Sequence, residues 1–347
     1  MKRGSGDPVV QSLLEALEGQ PSASSLIWGR GLSAVTRALA QLGQVHTLLQ
    51  DARDATSGVG ETSFGVMAPR GAFDRIVTRL PRSKEALRWR LAAAAAALEV
   101  GGQLWLVGHQ REGIKSAVKH LEAAVGPTVN VHTKRRCRVL VARRDATPRE
   151  APSLDGVARE VAFEAAGQSL TAVSLPGVFS HGRLDEGTRR MLDWLAVHPP
   201  TGRVLDLGAG AGILGVACAA HPAVSQTTLT EVAWVGAEAC RRTVAGNDAT
   251  ALAPITVQHA DVAQAAQGPF DLVVTNPPFH DGREEDRQLI GHFAAAAAAR
   301  LAPQGRLVAV CNRHLPYRDA LEAHFGRVVI AWEDTRFRIW ECSAPSL

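Results

Sequence analysis

The chain has 347 residues, 46% apolar and 21% charged, which is the composition of globular domains and a length sufficient for two of them. Its longest apolar runs, Leu91–Leu98 and Ile213–Ala220, fall short of the ~18 residues of a membrane span. The net charge of +4 divides unevenly: residues 1–160 hold 23 Lys and Arg against 15 Asp and Glu, whereas 161–347 hold 15 against 19, so a basic half suited to a polyanion precedes an acidic one.

Met1-Lys2-Arg3-Gly4-Ser5 has no apolar segment behind its charges, unlike a secretory leader. In the first half, no glycine-rich turn follows the first plausible strand; Trp28-Gly29-Arg30-Gly31 is the nearest approach. Phe73–Thr78 reads as a strand, Leu91–Leu98 as an Ala-rich helix, Gly101–Gly108 as a strand, and a further helix ends in His120–Gly126. Arg143–Ser153 is polar with two prolines and reads as a linker, dividing the chain into domains 1–150 and 151–347. Beyond it, strand Arg203–Leu207 runs into a glycine loop and the small-residue helix Ile213–Ala220. Strand Thr227–Glu231, helix Val235–Ala245, strands Ile255–His259 and Phe270–Thr275, helix Phe293–Leu301 and strand Arg306–Cys311 complete the alternation. That rhythm predicts an α/β fold with a parallel, doubly wound sheet. Five cysteines without a CxxC pair and twelve dispersed histidines suggest no metal site, no disulfide framework and a reducing cytoplasm.

The halves repeat one text. Phe73-Asp74-Arg-Ile-Val-Thr78-Arg79-Leu80-Pro81 aligns with Phe270-Asp271-Leu-Val-Val-Thr275-Asn276-Pro277-Pro278 at an offset of 197. Ala92–Ala97 matches Ala294–Ala299, and the phrase ending at Gly126 matches Ala320-Leu-Glu-Ala-His-Phe-Gly326. Such order implies duplication of one domain. The first copy is degenerate where chemistry would sit: Arg79-Leu80 replaces Asn276-Pro277.

Val204-Leu205-Asp206-Leu207-Gly208-Ala209-Gly210-Ala211-Gly212 is a strand ending in D-x-G-x-G-x-G. The glycines permit a tight turn and close approach of backbone to ligand. Dinucleotide enzymes use a related loop, but Asp206 would repel a pyrophosphate and suits the amino group of a methionine moiety. Glu231 ends the next strand, where an acid can accept from both ribose hydroxyls, and Asp261 after the third strand can bond an adenine amine. Together these predict S-adenosylmethionine.

Asn276-Pro277-Pro278-Phe279 follows a strand at its carboxyl end, where ligands sit in such sheets. Two prolines stiffen the backbone and remove N–H donors, leaving the Asn276 side-chain oxygen and the Pro277 carbonyl as acceptors for a planar amine. Phe279 would stack on a base held out of its helix. The loop is the predicted catalytic centre, by placement rather than by a general base.

Pro176-Gly-Val-Phe179-Ser180, Leu184-Asp185-x-Gly187, the glycine loop, Asn276-Pro-Pro-Phe-His280-Asp281-Gly282 and, in the first half, Val107-Gly108-x-x-Arg111-x-Gly113-x-x-Ser116 resemble the bacterial ribosomal RNA small subunit methyltransferase C family. The resemblance implies two tandem Rossmann-like methyltransferase domains of which only the second binds cofactor, with transfer to N2 of one guanosine in 16S rRNA. It also implies that Phe179–Asp185 covers the cofactor or target base. Glu231 departs from the Asp more common there. The basic first half is then expected to dock on rRNA through Arg79, Arg82, Lys84, Arg88, Arg90 and Lys134-Arg135-Arg136. A monomer acting on the 30S subunit, without metal or membrane, is the reading. Its rivals are guanine-N2 methylation of 23S rRNA, adenine-N6 or protein-glutamine methylation, and a non-catalytic rRNA assembly factor.

Overall fold

A computed structural model describes residues 7–57, 60–68, 71, 73–262, 266–278 and 284–345. The chain divides into two compact units, Met1–Val157 and Ala158–Leu347. In the first, α1 (Pro8–Leu17), β1 (Ser24–Trp28), α2 (Ser33–Leu39), β2 (Gln44–Leu49) and β3 (Glu61–Phe64) are followed by β4 (Phe73–Arg79), α3 (Lys84–Ala97) and β5 (Leu98–His109). α4 (Val118–Ala124), β6 (Thr128–Lys134), β7 (Cys137–Arg143) and the one-turn α5 (Leu154–Val157) complete it. The predicted linker is irregular over 144–153, but Arg143 closes β7 and the division falls beyond residue 150, because α5 stays with the first unit.

The second unit opens with a hairpin, β8 (Arg159–Ala165) and β9 (Gln168–Ser174), then α6 (Glu186–Val197), none of which the sequence reading placed. β10 (Gly202–Leu207), α7 (Ile213–Ala219), β11 (Val224–Glu231), α8 (Trp234–Ala245), β12 (Ile255–His259) and β13 (Phe270–Thr275) follow. α9 (Glu284–Ala298), β14 (Leu301–Asn312), α10 (Arg318–Glu322), β15 (Phe325–Glu333) and β16 (Phe337–Pro345) end the chain.

The two main sheets have the same order, β3-β2-β1-β4-β5-β7-β6 and β12-β11-β10-β13-β14-β16-β15. In each, one strand next to the edge, β7 or β16, runs antiparallel to both neighbours. The repeated text has the same work in both. Asp74 Oδ2 accepts from the Ala23 amide at 2.8 Å and Asp271 Oδ2 from the Arg203 amide at 2.7 Å, tying each β4-type strand to the start of the central one. The Thr78 hydroxyl donates to the Trp28 carbonyl at 2.7 Å and that of Thr275 to Leu207 at 2.8 Å. These charge-assisted and buried bonds are the kind most costly to lose.

The Ala-rich helices end before the predicted leucines. Leu98 and Leu301 instead open β5 and β14, because they pair with the buried Phe73 and Phe270 of the adjoining strands. Likewise the phrase Ala320–Gly326 is split: α10 stops at Glu322 and Phe325, 2% exposed, enters β15. Central strands are buried on both faces, with Val204, Leu205, Leu207, Val273 and Val274 all at 0% exposure, as parallel sheets covered by helices require. In sheets of this kind ligands bind at the carboxyl ends of the strands, here those of β10, β11, β13 and β14.

Candidate active site in the second unit

Gly208, Gly210 and Gly212 leave β10 with φ of 71°, 60° and 80°, the left-handed region that L side chains avoid. At Gly208 a Cβ would meet the Phe293 ring of α9 at 3.2 Å, and at Gly212 it would meet Leu229 at 3.0 Å. Among the described residues, only Val178, at 3.9 Å, lies within 4 Å of a Cβ placed at Gly210. Packing thus closes the loop at its two ends and leaves its middle accessible. Val178 belongs to the Pro176–Ser180 segment, whose Phe179 is 59% exposed.

Two carboxylates brace this loop. Asp206 is 1% exposed and its Oδ2 accepts from the Gly215 amide at 2.8 Å, in the first turn of α7. Burial pushes its carboxyl up to about 7, with the negative charge of Glu231 adding and the Gly215 amide opposing. Glu231 receives the Gly210 amide on Oε2 and the Ala233 amide on Oε1, both at 2.9 Å. The longer acid fits because residue 236 is glycine; a Cβ there would stand 2.5 Å from Glu231 Cγ. Asp261 lies 3.8 Å from His292 Nε2 of α9.

The reaction loop is held from α6. Asn276 Nδ2 donates to Asp185 Oδ2 and to Thr188 Oγ1, each at 2.9 Å. Asp185 also caps α6, accepting from the Thr188 amide at 3.0 Å. A carboxylate can only accept, so the amino side of the Asn276 amide must face it. The opposite atom, Oδ1, is buried and has no hydrogen-bond partner among the described residues. Pro277 is buried and Pro278 exposed; Phe279 and His280-Asp281-Gly282 lie outside the described residues. Thr188 was not predicted, and Asp185 entered only through a family motif. An Asp just ahead of an amphipathic helix is an ordinary N-cap signal, and nothing local says which side chain shares it.

In the first unit the corresponding space is filled. The Arg90 guanidinium lies 5.7 Å from the Trp28 ring centroid, bonds Gln50 Oε1, and donates to Thr78 Oγ1 at 3.2 Å and to the Arg79 carbonyl at 3.3 Å. Burial pushes it down to about 10. Arg90 therefore directs its donors into the first unit. Arg79 pairs with Asp7 at 2.6 Å, and Lys134 and Arg135 share Glu15 at 3.2 and 3.0 Å. Arg82, Lys84, Arg88 and Arg136 are exposed. Lys84, Arg88 and Lys119 gather near His120, whose imidazole is held below its usual range by burial first and then by those three charges.

Asp206 has a sign that can be tested. An acid whose folded value lies near 7, above its unfolded one, contributes stability below the unfolded value that is lost as pH rises through about 7. Urea unfolding of the cofactor-free protein should show stability falling between about pH 4 and 7 by on the order of a few kcal/mol. Asp206→Asn should flatten that slope; an unchanged slope contradicts the assignment.

Family comparisons agree with this architecture. Residues 169–341 match the methyltransferase small domain and residues 19–156 the methyltransferase small domain N-terminal family. A ribosomal RNA small subunit methyltransferase C from Pseudomonas aeruginosa is 38% identical over 283 residues, 81% of this chain and 82% of its own length. Its counterpart from Hahella chejuensis is 32% identical over 332 residues, 93% of this chain and 94% of its own. A solved structure of the T. thermophilus 16S rRNA N2 methyltransferase in complex with AdoMet and guanosine superposes with a TM-score of 0.83 and 29% identity, covering 98% of this chain and 93% of that one. With relatives at 32–38% identity over most of its length and two matching sheets, this chain belongs to the ribosomal RNA small subunit methyltransferase C family.

Proposed function

We propose that this chain transfers the methyl group of S-adenosylmethionine to the exocyclic N2 amine of one guanosine in 16S rRNA, with its second unit as the catalyst. The observation that carries the proposal is the buried Oδ1 of Asn276, without a partner among the described residues, its amide oriented by the two bonds on its nitrogen. S-adenosylmethionine, when bound, supplies an electrophilic methyl on a sulfonium. The accessible Gly210 turn suits its methionine end. Glu231, held by two backbone amides at the end of β11, is placed to accept from the ribose hydroxyls. Asp261 is placed for the adenine amine.

The remaining chemistry is positioning. Guanine N2 is a weak nucleophile because its lone pair is delocalised into the ring. Asn276 Oδ1 and the Pro277 carbonyl accept its two N–H bonds, favouring a pyramidal nitrogen with the pair aimed at the methyl. A C–N bond forms as the C–S bond breaks, and the proton made acidic on nitrogen leaves to water, so neither a strong base nor a metal is required. Alignment of this kind supplies effective molarities of ~10⁵ M or more. Phe179 and Phe279 are the aromatic candidates to hold the extruded base.

For docking, exposed Lys84, Arg88 and Lys119 replace the paired Arg79, Lys134 and Arg135 as the first unit's principal phosphate contacts, with Arg82 and Arg136 as further exposed candidates. The assembled 30S subunit as substrate, a monomeric enzyme and a cytoplasmic site of action complete the reading. Relatives named for the small subunit favour 16S over 23S rRNA, and the basic first unit disfavours a glutamine substrate.

Asn276→Ala should abolish transfer while leaving adenosylmethionine affinity within twofold by calorimetry. Asp185→Ser, which keeps a helix cap but not the reach to Asn276, should lower kcat ~10–100-fold, and Asp185→Asn, which regains the reach but can also donate, should recover only part of it. Full activity of Asn276→Ala would refute the acceptor role. Lys84→Glu, Arg88→Glu and Lys119→Glu together should weaken 16S rRNA binding and reduce the slope of log K against log salt by roughly two. An unaltered slope would place docking elsewhere.

A further inference from the structure

We propose that the catalytic unit carries its own phosphate-binding pocket at the sheet rim beside Asn276, taking the RNA backbone that flanks the target guanosine. The proposal rests on RNA being the acceptor. A cavity of about 440 Å³ is lined by Asn312, Arg313, His314, Thr335, Arg336 and Arg338. Every one of these side chains can donate a hydrogen bond, and no carboxylate lines it among the described residues. Its volume suits a phosphate with part of its sugar.

Topology puts this pocket next to the reaction loop. Thr275 of β13 pairs with Ala309 of β14, so Asn276 and Asn312 leave neighbouring parallel strands at the same edge. The other wall is the turn between β15 and β16, stiffened by Asp334, which accepts from the Arg336 and Phe337 amides at 2.8 and 2.7 Å. That turn is fastened to α6 by Arg336–Glu186 at 2.5 Å and Arg190–Asp334 at 3.0 Å. The residue capping the same helix is Asp185, which orients Asn276. Pocket and acceptor are therefore set on one scaffold element.

The electrostatics favour an anion. One carboxylate, Glu333, serves both Arg313 at 3.5 Å and Arg338 at 2.8 Å. Arg313 and Arg336 are paired with Glu333 and Glu186, yet they keep 49% and 65% of their side-chain surface exposed, and a guanidinium has five N–H donors, more than one carboxylate contact uses. This surplus of positive charge stands in the half of the chain where acids outnumber bases, 19 to 15. Arginine contacts to phosphate position a strand without reading it. The pocket would thus hold a neighbouring phosphate while Asn276 engages the base amine.

The test is the double variant Arg313→Ala, Arg336→Gln in the full chain, against Arg327→Ala, an arginine of β15 outside the pocket that is 64% exposed. The probes are 16S rRNA and a single-stranded RNA oligomer with one guanosine. The double variant should raise KM for RNA about tenfold and lower the salt slope by roughly one to two, with adenosylmethionine affinity unchanged. Arg313→Lys in place of Arg313→Ala should recover part of the slope, and Arg327→Ala should change neither quantity. An unchanged salt slope, with or without a rise in KM, overturns the pocket. Failure of the wild-type chain to methylate any RNA would instead overturn the functional reading, while the binding slope would still decide the pocket.

Discussion

The amide of Asn276 has one orientation because Asp185 can only accept hydrogen bonds. That restriction reaches further than one side chain. Asp185 is at once the cap that starts α6 and the acceptor that turns Asn276, so the helix and the reaction loop are set by the same carboxylate. Turning the amino group toward Asp185 leaves Oδ1 buried without a partner among the described residues, at a desolvation cost of about 1–3 kcal/mol. A ligand amine at that position would relieve the cost. The preorganisation is therefore built into the unliganded fold, and the donor pocket between β14 and β16 hangs from the same helix.

Duplication explains why the two units resemble each other, and one residue explains why they differ. Both retain the Asp and Thr ties of the repeated string, Asp74 and Thr78 in one and Asp271 and Thr275 in the other. Both therefore keep the same strand order. In the first unit, however, the rim above Trp28 is occupied by Arg90, bonded to Gln50, Thr78 and the Arg79 carbonyl. In the second, the matching position on α9 is His292, near Asp261, and the glycine turn stays accessible at Gly210. A guanidinium that packs this rim gives a physical reason to expect the cofactor in the second unit alone.

Much of this was legible in the chain because it is local. The FD-x-[IV]-V-T string, the glycine loop and Asn276-Pro277-Pro278 declare their elements over a handful of residues, and strand periods did the rest. What stayed hidden was partnership across distance. Asp185 meets Asn276 from 91 residues away, and Arg135 finds Glu15 across 120. A basic run therefore read as an RNA contact when part of its charge is already paired. The hairpin of β8 and β9 was missed for a related reason: β9 packs on α8, just beyond which Asn247 brackets Thr171, and each strand has only seven residues. Glu231 looked like a departure until Gly236 showed the room made for it.

The central claim is that a planar guanine amine on 16S rRNA is the acceptor held by Asn276. The direct measurement incubates the protein with methyl-labelled adenosylmethionine and purified 30S or 50S subunits, digests the rRNA to nucleosides and identifies the labelled species. The account predicts N2-methylguanosine, from 16S rRNA of the 30S sample, at about one per subunit. Label in 23S rRNA, in methyladenosine or in protein would contradict it.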